Sequence, residues 1–242
     1  MTLLIVLILF AASMCGGLLV KLIGSSGGRT ITYPLIFAGS FLFSITIIHI
    51  LPEVFSMSEN PMKIGLFVLL GFFFQQFLEY FTSGIEHGHF HAHHQLSGAS
   101  RSGLLIALVI HSLLEGALLT HESPFHAQQE SYALLLGIVL HKIPAAFALT
   151  ATLKEKDRFP TSLWVILIIF SMASPIGLVI SGELISFSPE LLTLLFALVS
   201  GSFLHISTTI FVESSPDHHF GIRKFVISLL GAGLAIATEY IV

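Results

Sequence analysis

The chain has 242 residues, of which 54% are hydrophobic and 10% are charged, with a mean hydropathy of +0.92 and a formal net charge of −4. This composition excludes an ordinary soluble domain, and we expect no nucleic acid partner. Its single cysteine, Cys15, excludes an internal disulfide. Apolar runs of about 20 residues, the length that crosses roughly 30 Å of hydrocarbon, recur throughout the chain. The sequence therefore predicts a polytopic membrane protein.

Hydropathy and helix-breaking residues divide the chain into eight predicted transmembrane helices. These spans cover residues 2–23, 33–51, 64–82, 102–119, 131–150, 161–180, 191–211 and 222–240. The first span could be a cleavable signal, but its first basic residue, Lys21, follows the apolar run instead of preceding it. We therefore expect one transmembrane domain over residues 1–242, an all-α bundle of eight helices surrounded by lipid.

Basic residues indicate how this bundle is oriented. One set of connections holds eight of them, and the opposite set holds only Lys63. The eight are Lys21, Arg29, Arg101, Lys154, Lys156, Arg158, Arg223 and Lys224. Because short cytoplasmic loops are enriched in Lys and Arg, this asymmetry places both termini outside the cytoplasm. The His-rich loop at residues 83–101 is then cytoplasmic.

Three ionisable side chains lie near the middle of the fourth and fifth spans. His111 and Glu115 are four residues apart, so they share one face of a helix, and His141 lies at a similar depth on the next span. Two imidazoles and a carboxylate can bind a divalent metal and leave one position open. The alternative is that these residues only hold helices together by hydrogen bonds.

Two neighbours of His141 are candidates for tuning this site. Pro144 removes a backbone donor, which frees the carbonyl of Leu140 and predicts a kink, and broken helices at this depth are typical of transporter sites. Lys142 is either a structural partner of Glu115 or a charge that adjusts the site, and the two interpretations overlap.

The motifs His111-Ser-x-x-Glu115-Gly and His141-Lys142-x-Pro144-Ala resemble those of the ZIP (Zrt/Irt-like) family of divalent metal transporters. The resemblance extends over the whole chain, and the second motif indicates a subtype with His-Lys-x-Pro-Ala in its fifth span. It implies a transporter and not an enzyme, without a cofactor, that carries Zn²⁺, or also Fe²⁺ or Mn²⁺, toward the cytoplasm. It further implies a multi-pass protein of the cell membrane. Whether the protein forms a homodimer is left open.

Members of this family with a two-metal centre carry additional acids or amides. In this chain Ser112, Lys142, Ala145 and Ser174 occupy what look like those positions. The resemblance therefore implies a single ion, with the Lys142 ammonium supplying the charge of the second. Ser112, Lys142 and Pro144 are the predicted tuning residues.

Further histidines are predicted as accessory metal ligands. The cytoplasmic set is His87, His89, His91, His93 and His94, which favour weak, exchangeable binding unless the segment is merely polar loop. His205 is either an exit ligand or a packing residue bonded to Ser202 or a carbonyl. Residues that could attract or assist cations near the ends of the spans are His49, Glu53, His121, Glu122, His126, His218 and His219.

An intramembrane zinc-dependent hydrolase is the alternative function. Such an enzyme would hold a metal-bound water with the same three residues and would need a general base. The sequence contains no His-Glu-x-x-His motif, and Gly201-Ser202 alone is a weak signal for a nucleophile. The transporter is the favoured prediction.

Overall fold

A computed structural model describes residues 2–23, 28–82, 98–119, 130–154, 159–213 and 221–241. Regular structure in these ranges is helical throughout, which confirms the all-α class for the described part of the chain. The helices are α1 Thr2–Ile23, α2 Gly28–Ile45, α3 Leu51–Ser56, α4 Pro61–Thr82, α5 Gly98–Leu118, α6 Glu130–Leu153, α7 Thr161–Phe187, α8 Pro189–Glu213 and α9 Ile222–Ile241. A π-helical turn, Thr46–Ile50, joins α2 to α3.

Within the described residues, six helical stretches are long and apolar enough to cross a membrane. They lie in α1, in α2 continued through α3, and in α4, α6, α7 and α8, while α5 contributes a shorter apolar segment, Ser102–Leu118. These stretches agree with the prediction of a helical membrane protein. The count of eight spans and the placement of both termini remain predictions.

Several predicted boundaries were wrong. The second span does not end at Leu51, because the helical stretch continues through α3 to Ser56, with Pro52 in the first turn of α3. α5 begins at Gly98, four residues before the predicted start of the fourth span at residue 102. Similarly, α7 continues to Phe187, past the predicted end at residue 180. Hydropathy marks the apolar part of a helix and misses its polar turns.

Close backbone contacts at glycine hold the main helix pairs together. α1 packs on α6, α2 on α9, α4 on α8 and α5 on α7. In each pair a glycine lies so near the partner's backbone that a Cβ atom would overlap a carbonyl. These contacts are Gly16 on Ile143, Gly231 on Phe37, Gly71 on Leu198 and Gly116 on Ser174. Small residues allow the close approach on which packing between membrane helices depends.

The buried polar residues in the middle of α5 and α6, which include His111, Glu115 and His141, form a polar layer between two apolar clusters. One cluster includes Leu118 at the end of α5 and Ile138 in the first half of α6. The other includes Leu108 in the first half of α5 and Phe147 in the second half of α6. Because the polar residues of α5 and α6 lie between these positions on both helices, close-packed hydrocarbon covers them on both sides.

Candidate metal centre

Glu115 lies between the two imidazoles predicted to share its site. Its Oε1 atom is 3.1 Å from Nε2 of His111, one turn earlier on α5, and 3.7 Å from Nε2 of His141 on α6. One ligand atom from each of the three side chains lies within 4.8 Å of the other two. All three side chains are at most 3% exposed. The structure thus brings the three predicted residues together in a buried position.

The spacing of these atoms fits a small divalent ion. Ligand atoms of a tetrahedral zinc ion lie about 3.4 Å apart when the bonds are about 2.1 Å long. The 3.1 and 3.7 Å separations bracket this value. The two imidazole rings meet edge to face, with centroids 5.8 Å apart. The ligand atoms of the three side chains lie within 4.8 Å of one another, so the two imidazoles can share one ion after they draw closer together.

Hydrogen bonding also distinguishes this cluster from ordinary helix packing. Both ring nitrogens of His141 are buried and make no hydrogen bond with the described residues. Buried polar atoms in native proteins almost always have a partner, so exceptions require an explanation. A cation that the three side chains bind together would satisfy one of these two nitrogens.

The second oxygen of Glu115 has different surroundings. Nζ of Lys142, which is fully buried, donates hydrogen bonds to Glu115 Oε2 at 2.6 Å and to Ser112 Oγ at 2.5 Å. The same ammonium lies 5.2 Å from the centroid of the Phe170 ring. Lys142 is therefore both a partner of Glu115 and a positive charge beside the candidate site.

Helix α7 supports Lys142 indirectly. Ser174 Oγ donates a hydrogen bond of 2.7 Å to the backbone carbonyl of Ser112 and lies 3.3 Å from the Ser112 hydroxyl. Ala145, the remaining departure from the two-metal pattern, is buried in an apolar cluster. α6 continues through Pro144 to Leu153 without a break in the helix. Ser112, Lys142 and Ser174 thus form a connected polar group, and Ala145 does not contribute a polar atom to it.

A second His–Glu pair lies where α4 packs on α8. Nε2 of His205 is 2.5 Å from Oε2 of Glu79, and Ser202 donates a hydrogen bond of 2.7 Å to Oε1 of Gln75. The prediction that His205 bonds to Ser202 or a carbonyl was therefore wrong about its partner. Gln75 and Glu79 are four residues apart and Ser202 and His205 are three apart, so each set shares a helix face, but the sequence does not indicate that these two faces meet.

Of the remaining predicted cation-attracting residues, His49 and Glu53 fall within the described ranges. His49 belongs to the π-helical turn, and its Nε2 is 3.6 Å from Oε2 of Glu53 on α3. The residues outside the described ranges are His87, His89, His91, His93, His94, His121, Glu122, His126, His218 and His219.

One comparison with known proteins identifies a family. A family model described as ZIP Zinc transporter matches residues 100–238, more than half of the chain, and the matched region includes His111, Glu115 and His141. The match is narrower than the resemblance drawn from the motifs, and it does not separate subtypes. No curated protein matches the chain.

Proposed function

Since the chain belongs to the ZIP zinc transporter family, we propose that it carries Zn²⁺ toward the cytoplasm through the cluster formed by His111, Glu115 and His141. The family transports divalent metal ions, and the apolar helices make this an integral, multi-pass membrane protein. We infer the cell membrane as its location. The observation that carries the proposal is the convergence of the three buried side chains to within 4.8 Å.

The donor set suits an ion that must be released again. Two imidazole nitrogens and one carboxylate oxygen replace part of the hydration shell of zinc and leave a position for water. A structural zinc site, in contrast, is closed by four protein ligands. Transport requires binding that is favourable enough for the ion to enter and weak enough for it to leave.

Burial of the cluster requires the helices to move during transport. Leu118 and Ile138 belong to the apolar cluster on one side of the layer, and Leu108 and Phe147 belong to the one on the other. An ion can reach His141 only when one of these clusters opens. Alternating opening of the two sides around a fixed site is the mechanism of secondary transporters.

No observation favours the hydrolase alternative. A hydrolase needs a general base beside a metal-bound water. In the cluster, one oxygen of Glu115 faces the imidazoles and the other accepts a hydrogen bond from Lys142. Neither oxygen is left to act as the base, and the family consists of transporters.

Uptake by purified protein tests the proposal. The protein is reconstituted into liposomes and ⁶⁵Zn²⁺ is supplied outside, with protein-free liposomes as the blank. We expect zinc to accumulate inside in proportion to the amount of protein. Zinc that stays bound to the protein without crossing the membrane would favour the hydrolase.

A further inference from the structure

The two oxygens of Glu115 play different roles, and the difference bears on which metal the site accepts. Oε1 faces the Nε2 atoms of His111 and His141, whereas Oε2 accepts a hydrogen bond from the buried ammonium of Lys142. A carboxylate with both oxygens unbound can bind an ion through either one or both. Here only one oxygen is directed at the position between the imidazoles.

Lys142 is held in place from several directions. Its Nζ donates to Glu115 Oε2 and to Ser112 Oγ, and the Phe170 ring lies on another side. Ser112 is fixed in turn by the hydrogen bond from Ser174 Oγ to its carbonyl. An arriving ion would have to break charge-assisted hydrogen bonds in a buried site in order to take Oε2 from the ammonium.

We propose that Lys142 determines the metal preference of the cluster by restricting Glu115 to one ligand oxygen, so that the site favours Zn²⁺ over Mn²⁺. This inference rests on the proposed function. The ions differ in the ligands that they prefer. Zinc binds well to imidazole in a four-coordinate site, while manganese prefers carboxylate, carbonyl and water oxygens in a larger shell.

The charge of Lys142 does not by itself distinguish the two ions. A positive charge beside the site opposes every divalent ion, and this repulsion is strong where water is excluded. Because Zn²⁺ and Mn²⁺ carry the same charge, it lowers the affinity for both by a similar factor. The preference for Zn²⁺ therefore comes from the donor set, in which two imidazoles and one carboxylate oxygen remain available to the ion.

The test is a competition assay with the variant Lys142→Met, which removes the ammonium with little change in volume. In liposomes, we measure the concentration of Mn²⁺ that halves ⁶⁵Zn²⁺ uptake and the concentration of unlabelled Zn²⁺ that does the same. The first concentration divided by the second is the manganese-to-zinc ratio. We expect Lys142→Met to lower this ratio by about tenfold or more, the size typical of changes to groups that support metal ligands. The matched control is Lys63→Met. Lys63 lies near the start of α4 and pairs with Glu190 on α8, so its replacement should leave the ratio unchanged.

The outcomes separate this inference from the function on which it rests. Absence of zinc uptake by the unmodified protein would contradict the proposed transport. Normal uptake, with the same manganese-to-zinc ratio in Lys142→Met as in the unmodified protein, would overturn only the role of Lys142.

A measurement on the unmodified protein keeps the inference testable if Lys142→Met does not fold. X-ray absorption at the zinc edge should give about four nearest neighbours, including two imidazoles and a single carboxylate oxygen. A five-coordinate ion bound by both oxygens of Glu115 would refute the proposal.

Discussion

The His–Glu arrangement at the α4–α8 contact and the one in the α5–α6 cluster differ in how the carboxylate is used. At the α4–α8 contact, Glu79 and His205 lie 2.5 Å apart and are joined by a hydrogen bond. In the cluster of α5 and α6, Glu115 is shared by His111, His141 and Lys142. The first arrangement joins two helices. The second gathers two imidazoles around one oxygen and leaves both ring nitrogens of His141 without a hydrogen bond to the described residues.

The surroundings of the two arrangements reinforce this contrast. The α4–α8 contact also contains the Gln75–Ser202 hydrogen bond and the Lys63–Glu190 ion pair. Three polar interactions, spaced along the two helices, therefore connect α4 with α8. Interhelical hydrogen bonds of this kind stabilise membrane bundles. A histidine and an acid in an apolar helix are therefore weak evidence for a metal site until convergence with a third ligand is seen.

The largest effect is expected from removing ligands at the α5–α6 cluster. His111→Ala, Glu115→Ala and His141→Ala should each lower zinc uptake in liposomes by more than about tenfold, because each removes a bond to the ion. Membrane insertion and expression should stay near normal, and immunoblots of purified membranes check this. Full transport by the double variant His111→Ala, His141→Ala would show that the ion binds elsewhere.

The next effect concerns the charge beside the cluster. Lys142→Ala should bind zinc about tenfold more tightly and release it more slowly, because repulsion by the ammonium is lost. Equilibrium binding and efflux from preloaded liposomes measure the two quantities. Unchanged affinity together with unchanged efflux would contradict the role of the charge.

A related variant tests how many ions the cluster can hold. Replacing Lys142 by Asp and Ala145 by Glu adds carboxylates where the two-metal pattern has acids or amides, so the bound zinc should rise from one ion toward two per protomer. Anomalous scattering or elemental analysis gives the stoichiometry. Two ions in the transport centre of the unmodified protein would refute the single-ion site.

The α4–α8 contact should respond in the opposite manner. His205→Ala removes a partner of the partly buried Glu79 carboxylate, so it should lower the free energy of unfolding by about 1–3 kcal/mol. Zinc uptake per folded molecule should change less than about threefold, well below the effect of losing a ligand. Thermal unfolding in detergent and uptake in liposomes give the two values. Normal stability with abolished uptake would instead make His205 an exit ligand.

The smallest effect is expected from the histidines that precede α5. Deleting residues 87–94 removes His87, His89, His91, His93 and His94, which we propose to collect zinc weakly after it has crossed. Uptake should fall only slightly, because the central ligands remain. If the deletion abolished transport, those histidines would be part of the essential path.

The sequence predicted the central cluster more fully than it predicted its surroundings. The spacing of His111 and Glu115 fixes their shared face, and a short-range pattern of this kind can be read directly from the chain. The hydrogen bonds of Ser112 with Lys142 and Ser174 join three separate helices. Such contacts depend on how helices pack, which helical periodicity alone does not determine.

Helix ends and interhelical partners were the least predictable features. Hydropathy follows the apolar middle of a helix, so it missed the turn at residues 98–101 of α5. It also gave no reason to pair His205 with Glu79, which is 126 residues away in the chain. The glycine contacts at Gly71 and Gly116 became meaningful only when their partner helices were known.

The apolar clusters on either side of the polar layer also determine what the protein does between transport cycles. Hydrocarbon side chains such as Leu108, Phe147 and Ile138 present a high barrier to any small ion, including protons and sodium. A membrane can therefore hold many copies of this protein without a steady leak of its electrochemical gradients. In the transport that we propose, zinc entry is then limited by the rate of conformational change, as in a carrier, and does not rise to the conductance of an open pore.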